Sequence, residues 1–259
     1  MAANLSDIAA MGARPILATV VLGLPPSIDE RWILDCYRGM QALAARHATR
    51  IVGGDIVRAP ATILSITVVG EVSPSRLKRR DGGKQGDVLA VTGPLGASRA
   101  GLELLRRSVD VDGVARERAM DAFATPEPRV AEGRWFAASR NVHAMMDCSD
   151  GLSLDVDRLA RASGCGATFF DVTVAPAAAA VASAAGDDPL RYALEGGEDF
   201  ELIVAIAPRA FRYLARRFEA HFKRPLLVVG RLDAELGLRI REDSEAAREL
   251  VPAGWDHLG

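Results

Sequence analysis

Aromatic residues are scarce in this chain, 5% of 259, while alanine, valine and leucine dominate, which favours helices packed on sheets over an aromatic-rich binding module. Cysteine is rarer still. Cys36, Cys148 and Cys165 are far apart and odd in number, with no C-x-x-C pair and no zinc spacing. That pattern excludes a disulfide framework and fits a reducing compartment. No block of Lys and Arg is long enough to give an electrostatic footprint for nucleic acid, and the formal charge of −2 supplies none either. No apolar run approaches the ~20 residues needed to span a bilayer, and the first residues lack the basic and apolar regions of a signal peptide. The expectation is a cytoplasmic protein with no nucleic-acid or membrane partner.

What is present is core material: 49% of the residues are hydrophobic, enough for one large domain or two of ordinary size. The pattern predicts a helix over 4–11, stopped by Gly12 and Pro15, then a buried strand over 16–24. An amphipathic helix follows over 29–47, then a short strand at 50–52 ending in Gly53-Gly54-Asp55, and a strand over 62–72. The polar, basic, glycine-bearing stretch 73–86 reads as a junction. Beyond it strands are predicted near 87–92, 142–146, 167–172, 201–207, 226–229 and 238–240. Helices are predicted through 105, over 114–123, 129–139, to 162, 175–185 and 209–221. This alternation gives an α/β fold class, an α+β mixed sheet covered by helices, in two parts, 1–74 and 86–259.

Four acidic positions sit where chemistry is done. Asp147-Cys148-Ser149-Asp150-Gly151 joins a strand to a helix. The helix start favours an anion, yet two carboxylates repel one unless a cation bridges them; a phosphate chain with Mg²⁺ resolves the conflict. The plainer alternative makes Asp150 an N-cap. Gly53-Gly54-Asp55 is either a tight turn or a place where backbone approaches a ligand. Glu195-Gly196-Gly197-Glu198-Asp199 carries more acid than a turn needs. Asp7 alone is an ordinary helix-surface residue. Gly93-Pro94-Leu95-Gly96 lacks the residues of a P-loop and reads as a structural turn. The basic run Arg76, Lys78, Arg79 and Arg80 reads as a solvated face or a phosphate clamp, and Trp255 as a core plug or an aromatic platform.

Taken in order, Asn4-Leu5-Ser6-Asp7-Ile8-Ala9-Ala10-Met11-Gly12, Gly53-Gly54-Asp55, Asp147-Cys148-Ser149-Asp150-Gly151-Leu152 and Gly196-Gly197-Glu198-Asp199-Phe200-Glu201-Leu202 resemble the motifs of the thiamine-monophosphate kinase family. Val91-Thr92-Gly93 and Gly254-Trp255-Asp256-His257 extend the likeness across the chain. The resemblance implies a two-domain, aminoimidazole-ribonucleotide-synthetase-like architecture and transfer of the γ-phosphoryl group of ATP to thiamine monophosphate. It implies Mg²⁺ held by Asp7, Asp55, Asp147 and Asp150, nucleotide contacts from Gly54, Asp55, Arg80 and Ser149, and thiamine contacts from Glu198 and Trp255. It implies a homodimer paired through strands of the first domain. It also implies a longer N-terminal segment in the family, carrying further metal ligands and a substrate-binding histidine, so the domain over 1–74 is expected to be incomplete and to expose a sheet edge. Ile56 and Val57 stand where the family usually has threonines. The alternatives are another ATP-using enzyme of the superfamily, or a non-catalytic nucleotide-binding protein.

Overall fold

The structure, a computed structural model, describes residues 1–241 and 246–255. Helix α1 (Ala2–Ala10) leads into strand β1 (Arg14–Leu24). Helix α2 (Glu30–Arg46) starts at Asp29, whose carboxylate accepts a hydrogen bond from the Arg31 N–H at 2.9 Å, the expected N-cap. Strands β2 (Arg50–Arg58) and β3 (Ile63–Glu71) flank β1, β2 parallel to it and β3 antiparallel. Val20 and Leu22 meet Met40 of α2 beneath this small sheet. Side chains alternate along a strand, so the opposite face carries Val21, Val57, Ile63 and Val69, all exposed.

The structure corrects one expectation here. Gly53-Gly54-Asp55 is not a turn at a strand end; β2 runs straight through it, paired with Thr19, Val20 and Val21. Gly54 is glycine because of that neighbour. A Cβ there would lie 1.7 Å from the Val20 carbonyl oxygen, beside a bulge at Ala18/Thr19.

The larger part contains β4 (Val88–Val91), α3 (Ala97–Arg106), α4 (Gly113–Ala124), α5 (Val130–Ala137) and β5 (Val142–Asp147). It continues with α6 (Leu152–Ala162), β6 (Gly166–Phe169), α7 (Pro176–Ala185), α8 (Pro189–Glu195) and β7 (Leu202–Ile206). Helix α9 (Pro208–Phe222), β8 (Leu227–Asp233), β9 (Leu238–Ile240) and β10 (Arg248–Glu249) complete it. The strands form a mixed sheet in the order β10-β9-β6-β8-β4-β7-β5, with only β6 and β9 parallel. Its central strands are buried on both faces, which is why they read as unbroken apolar runs. Leu89, Val91 and Ile203 face Leu152, Val156 and Leu159 of α6. Ala90, Leu202 and Val204 face Phe136 of α5 and Leu214 and Phe218 of α9. Helix α8 was not foreseen, although Asp188 caps Leu190 N–H at 2.9 Å and Pro189 occupies the first turn, both start signals.

Helix α1 belongs to this second core. Leu5 and Ala9 pack with Phe136 and Met145, and α1 lies so close to α5 that a Cβ on Gly133 would fall 2.1 Å from the Ala9 carbonyl oxygen. The stretch between the two sheets is nailed down by Lys78, which is buried rather than on a solvated face. Its ammonium donates to the carbonyls of Ser139 and Val142, each at 2.8 Å, and its N–H to Met11 at 3.2 Å. Burial lowers its pKa. Substituting Lys78→Met keeps the side-chain length but strands two carbonyls, so the variant is expected to lose about 2 kcal/mol. Urea unfolding reads this as a lower midpoint at constant slope; an unchanged midpoint would show that the ammonium contributes nothing net.

Candidate active site

The larger sheet presents the end of β5 to solvent, and the acids gather there. Asp147 is its last residue and is buried. The Ser6 hydroxyl of α1 donates to Asp147 Oδ2 at 2.6 Å, an anchor residue that the sequence reading did not single out. Burial pushes the Asp147 carboxyl up to about 6; the Ser6 hydrogen bond opposes this and the Asp7 charge adds to it. Asp7 is also raised by burial, with the nearby charge of Arg80 pulling it down.

Every other buried carboxylate among the described residues has a basic side chain or a helix start as its partner. Glu201 takes Arg129 and Arg224, Glu132 takes Arg224, and Glu103 takes Arg99 and Arg107. Asp155 takes Arg158, Asp157 takes Arg161, and Asp87 takes the His143 ring. Asp147 alone has none, only a hydroxyl. A buried anion left in that state is costly, and proteins retain such groups chiefly where a ligand completes them.

The turn after β5 is organised differently from the expectation. Asp150 does not cap α6. The Asp155 carboxylate reaches back and accepts from the N–H groups of Ser149 and Asp150, both at 2.9 Å. The N–H groups of the turn just before α6 are therefore taken from inside the protein, and Asp150 is turned toward Arg158. Burial lifts Asp155 to about 6. Helix α3 repeats the device: the Asp199 carboxylate accepts from Gly96 N–H at 2.8 Å and Ser98 N–H at 3.4 Å. The Gly93-Pro94-Leu95-Gly96 turn is thus structural.

Opposite this turn lies the segment 196–201. Main-chain hydrogen bonds couple the two: Glu198 N–H to Ser149 O at 2.7 Å, Phe200 N–H to Cys148 O at 2.9 Å and Cys148 N–H to Glu201 O at 2.8 Å. To make them, Glu198 and Phe200 adopt left-handed φ of 57° and 49°. Such angles are uncommon for non-glycine residues and strain the chain. The tail is drawn in as well. The Ser153 hydroxyl donates to Ala253 O at 2.6 Å, and Trp255 N–H donates to Asp150 O at 2.8 Å.

These contacts enclose a cleft of about 530 Å³ whose rim carries Asp7, Asp147, Ser149, Asp150, Glu198 and Trp255. Six residues singled out in the sequence thus meet around one space. The far wall, from Leu102 and Arg106 of α3, Phe123 of α4 and Phe200, was not anticipated, because nothing local marks a helix residue as cleft-facing. Gly54 and Asp55 are not on this rim; Asp55 lies on the open face of the small sheet, its Oδ1 accepting from Ile56 N–H at 2.8 Å. Arg80 lies outside the rim too, near enough to act on Asp7. Among the described residues no three acidic, imidazole or thiol groups form a ready-made metal cage. Trp255 is 41% exposed, so it is not a core plug. Asp256 and His257 lie outside the described residues.

Comparison with known proteins agrees with this geometry. Residues 1–72 match the family model of the AIR synthase related protein N-terminal domain, and residues 84–241 that of the C-terminal domain. A thiamine-monophosphate kinase of Rhodopirellula baltica is 35% identical over 99% of this chain and 74% of its own length. The thiamine-monophosphate kinase of Escherichia coli K12 is 33% identical over 100% of this chain and 78% of its own. The chain belongs to the thiamine-monophosphate kinase family. The solved structure of AaThiL complexed with AMPPCP and TMP superposes with a TM-score of 0.85 at 28% identity, covering 99% of this chain and 78% of that one. The α/β architecture expected from the sequence is the one this family shares.

The strained backbone at Glu198 yields a test. Asparagine tolerates the left-handed region better than glutamate, so Glu198→Asn is expected to raise the unfolding free energy by about 0.5–1 kcal/mol. Urea titration of the two proteins checks it. A destabilised variant would mean that the glutamate side chain contributes more than its backbone angle costs.

Proposed function

We propose that this chain transfers the γ-phosphoryl group of ATP to thiamine monophosphate, giving thiamine diphosphate. The observation that carries the reading is Asp147, a buried carboxylate that the Ser6 hydroxyl answers and no basic side chain pairs among the described residues, at the head of a cleft shared with Asp7, Asp150, Glu198 and Trp255. The sequence likeness to thiamine-monophosphate kinases along the whole chain supports it.

The chemistry asks little of general bases. The acceptor is a phosphate oxygen, already anionic, so the protein's task is to align two polyanions and offset their charge. Glu198 faces a thiazolium or aminopyrimidine, both of which suit a carboxylate, and the exposed Trp255 indole offers a ring face. Ser149, Arg80 and Gly54 are assigned to the nucleotide on the strength of the motif. Asp7, Asp147 and Asp150 are assigned to Mg²⁺, which bound there would supply the charge neutralisation that two facing polyanions require; Asp55, away from this cleft, is assigned to metal on the strength of the motif alone. The fit is that of a hard cation to oxygen donors, one of them buried with no counter-charge.

The two-part division, 1–74 and 86–259, belongs to the same proposal and is supported by where the two family models stop and start. So does a homodimer. The open face of the small sheet sets Val21, Val57, Ile63 and Val69 around Asp55, an apolar surface with nothing over it that a second copy would bury. A cytoplasmic site of action completes the reading; among the described residues no helix is long and apolar enough to cross a membrane.

Two measurements follow. In a discontinuous assay for thiamine diphosphate, the chain is expected to turn over ATP and thiamine monophosphate, to stop on chelation of divalent ions, and to lose on the order of 100-fold in kcat in Asp147→Asn. Binding of ATP without formation of thiamine diphosphate would sink the substrate assignment. For the dimer, Val69→Glu is expected to shift the sedimentation coefficient from dimer to monomer; a chain already monomeric before substitution would refute it.

A further inference from the structure

The cleft needs a partner for its ligand's negative charge, and the protein has already used most of what it has. Backbone N–H groups at a helix start are the usual phosphate cradle. Here the Ser149 and Asp150 N–H groups just before α6 are taken by Asp155, and those of Gly96 and Ser98 at the start of α3 by Asp199. The nearby guanidinium groups are engaged too. Arg158 holds Asp150 and Asp155, Arg99 and Arg107 hold Glu103, and Arg129 holds Glu201.

Arg106 is the exception. It stands in the last turn of α3, is exposed, and lines the cleft. Among the described residues no carboxylate or carbonyl pairs with it. One turn earlier on the same face is Leu102, which with Phe123 and Phe200 makes the apolar side of the same cleft. The wall therefore combines an apolar surface for a ring with one uncommitted guanidinium, whose fork of donors matches a phosphate.

The geometry points to Arg106 as the residue that binds the phosphate of the acceptor substrate, and so distinguishes thiamine monophosphate from unphosphorylated thiamine. This rests on the substrate reading given above. The phosphate of the acceptor and those of the nucleotide share one chemistry. The acceptor is favoured because Arg106 shares its wall with the ring-binding side chains, whereas Arg80 sits near Asp7, outside the rim.

Calorimetric titration separates the possibilities, using thiamine monophosphate, thiamine, and AMPPCP with Mg²⁺ on the wild-type chain, Arg106→Ala and Arg106→Lys. The alanine variant is expected to weaken thiamine monophosphate binding by about 10- to 100-fold, while thiamine and AMPPCP change by less than about twofold. Lysine keeps the charge without the fork and is expected to recover part of the loss. Equal losses for thiamine and its phosphate would reduce Arg106 to a structural role and overturn the inference. A loss confined to AMPPCP would move the residue to the nucleotide and overturn it as well. Wild-type protein that binds AMPPCP but not thiamine monophosphate would fell the substrate reading itself, and this inference with it. The substitution is at an exposed helix end, where folding is expected to survive, and circular dichroism of the variant verifies that.

Discussion

A carboxylate taken out of water must be answered by something, and the arrangement of this molecule follows from how its buried acids are answered. Most are met by arginine. Glu201 shows the fullest case: Arg129 approaches it with two nitrogens, Thr92 donates a hydroxyl, and Arg224 bridges it to Glu132. That network sits directly behind the 196–201 segment and fixes where Glu198 can stand. Two acids are met by backbone. Asp155 accepts from the turn before α6 and Asp199 from the start of α3, where the α3 dipole favours the charge. Asp147 is left with one hydroxyl, and the cleft opens at that point.

This division of labour has a consequence for charge in the cleft. Internal carboxylates take the backbone donors of the turn before α6 and of the α3 start. What remains in the cleft to meet a ligand's charge is side chains not already committed, Arg106 among them. The cleft also has acidic walls: burial raises Asp7 and Asp147, and the charges of Asp7 and Asp150 raise Asp147 further.

Much of this was legible in the sequence, for definite reasons. Long apolar strands with helical spacing between them are local signals, and the sheet and helices lie where those signals place them. The acidic motifs were legible because Asp147, Asp150 and Glu198 lie beside breaks in that periodicity. What failed was decided at long range. Gly53-Gly54-Asp55 looked like a turn because glycine is common in turns; the Val20 carbonyl, thirty-odd residues away, is what requires it. Asp150 could be read as a cap because it precedes a helix; its side chain pairs instead with Arg158, and Gly151 takes the cap position. Lys78 looked solvated among Arg76, Arg79 and Arg80, yet two carbonyls from the α5–β5 connection draw it inward. In each case the residue type was read correctly and its partner was not, because partners are chosen by the fold.

The cleft itself is the strongest instance. Its rim joins α1, the end of β5, the 196–201 segment and the C-terminal tail, and no two of these are neighbours in sequence. Helix α1 reaches the rim only because it packs against α5 with almost no gap. The tail reaches it only through Ser153 and Asp150. Each attachment is a few hydrogen bonds or one close helix contact, so the rim is assembled from parts whose local stabilities differ. The strained Glu198 and Phe200 angles are held by the same backbone bonds that join the two acidic turns. If those bonds open, the strain is released and the carboxylates separate together.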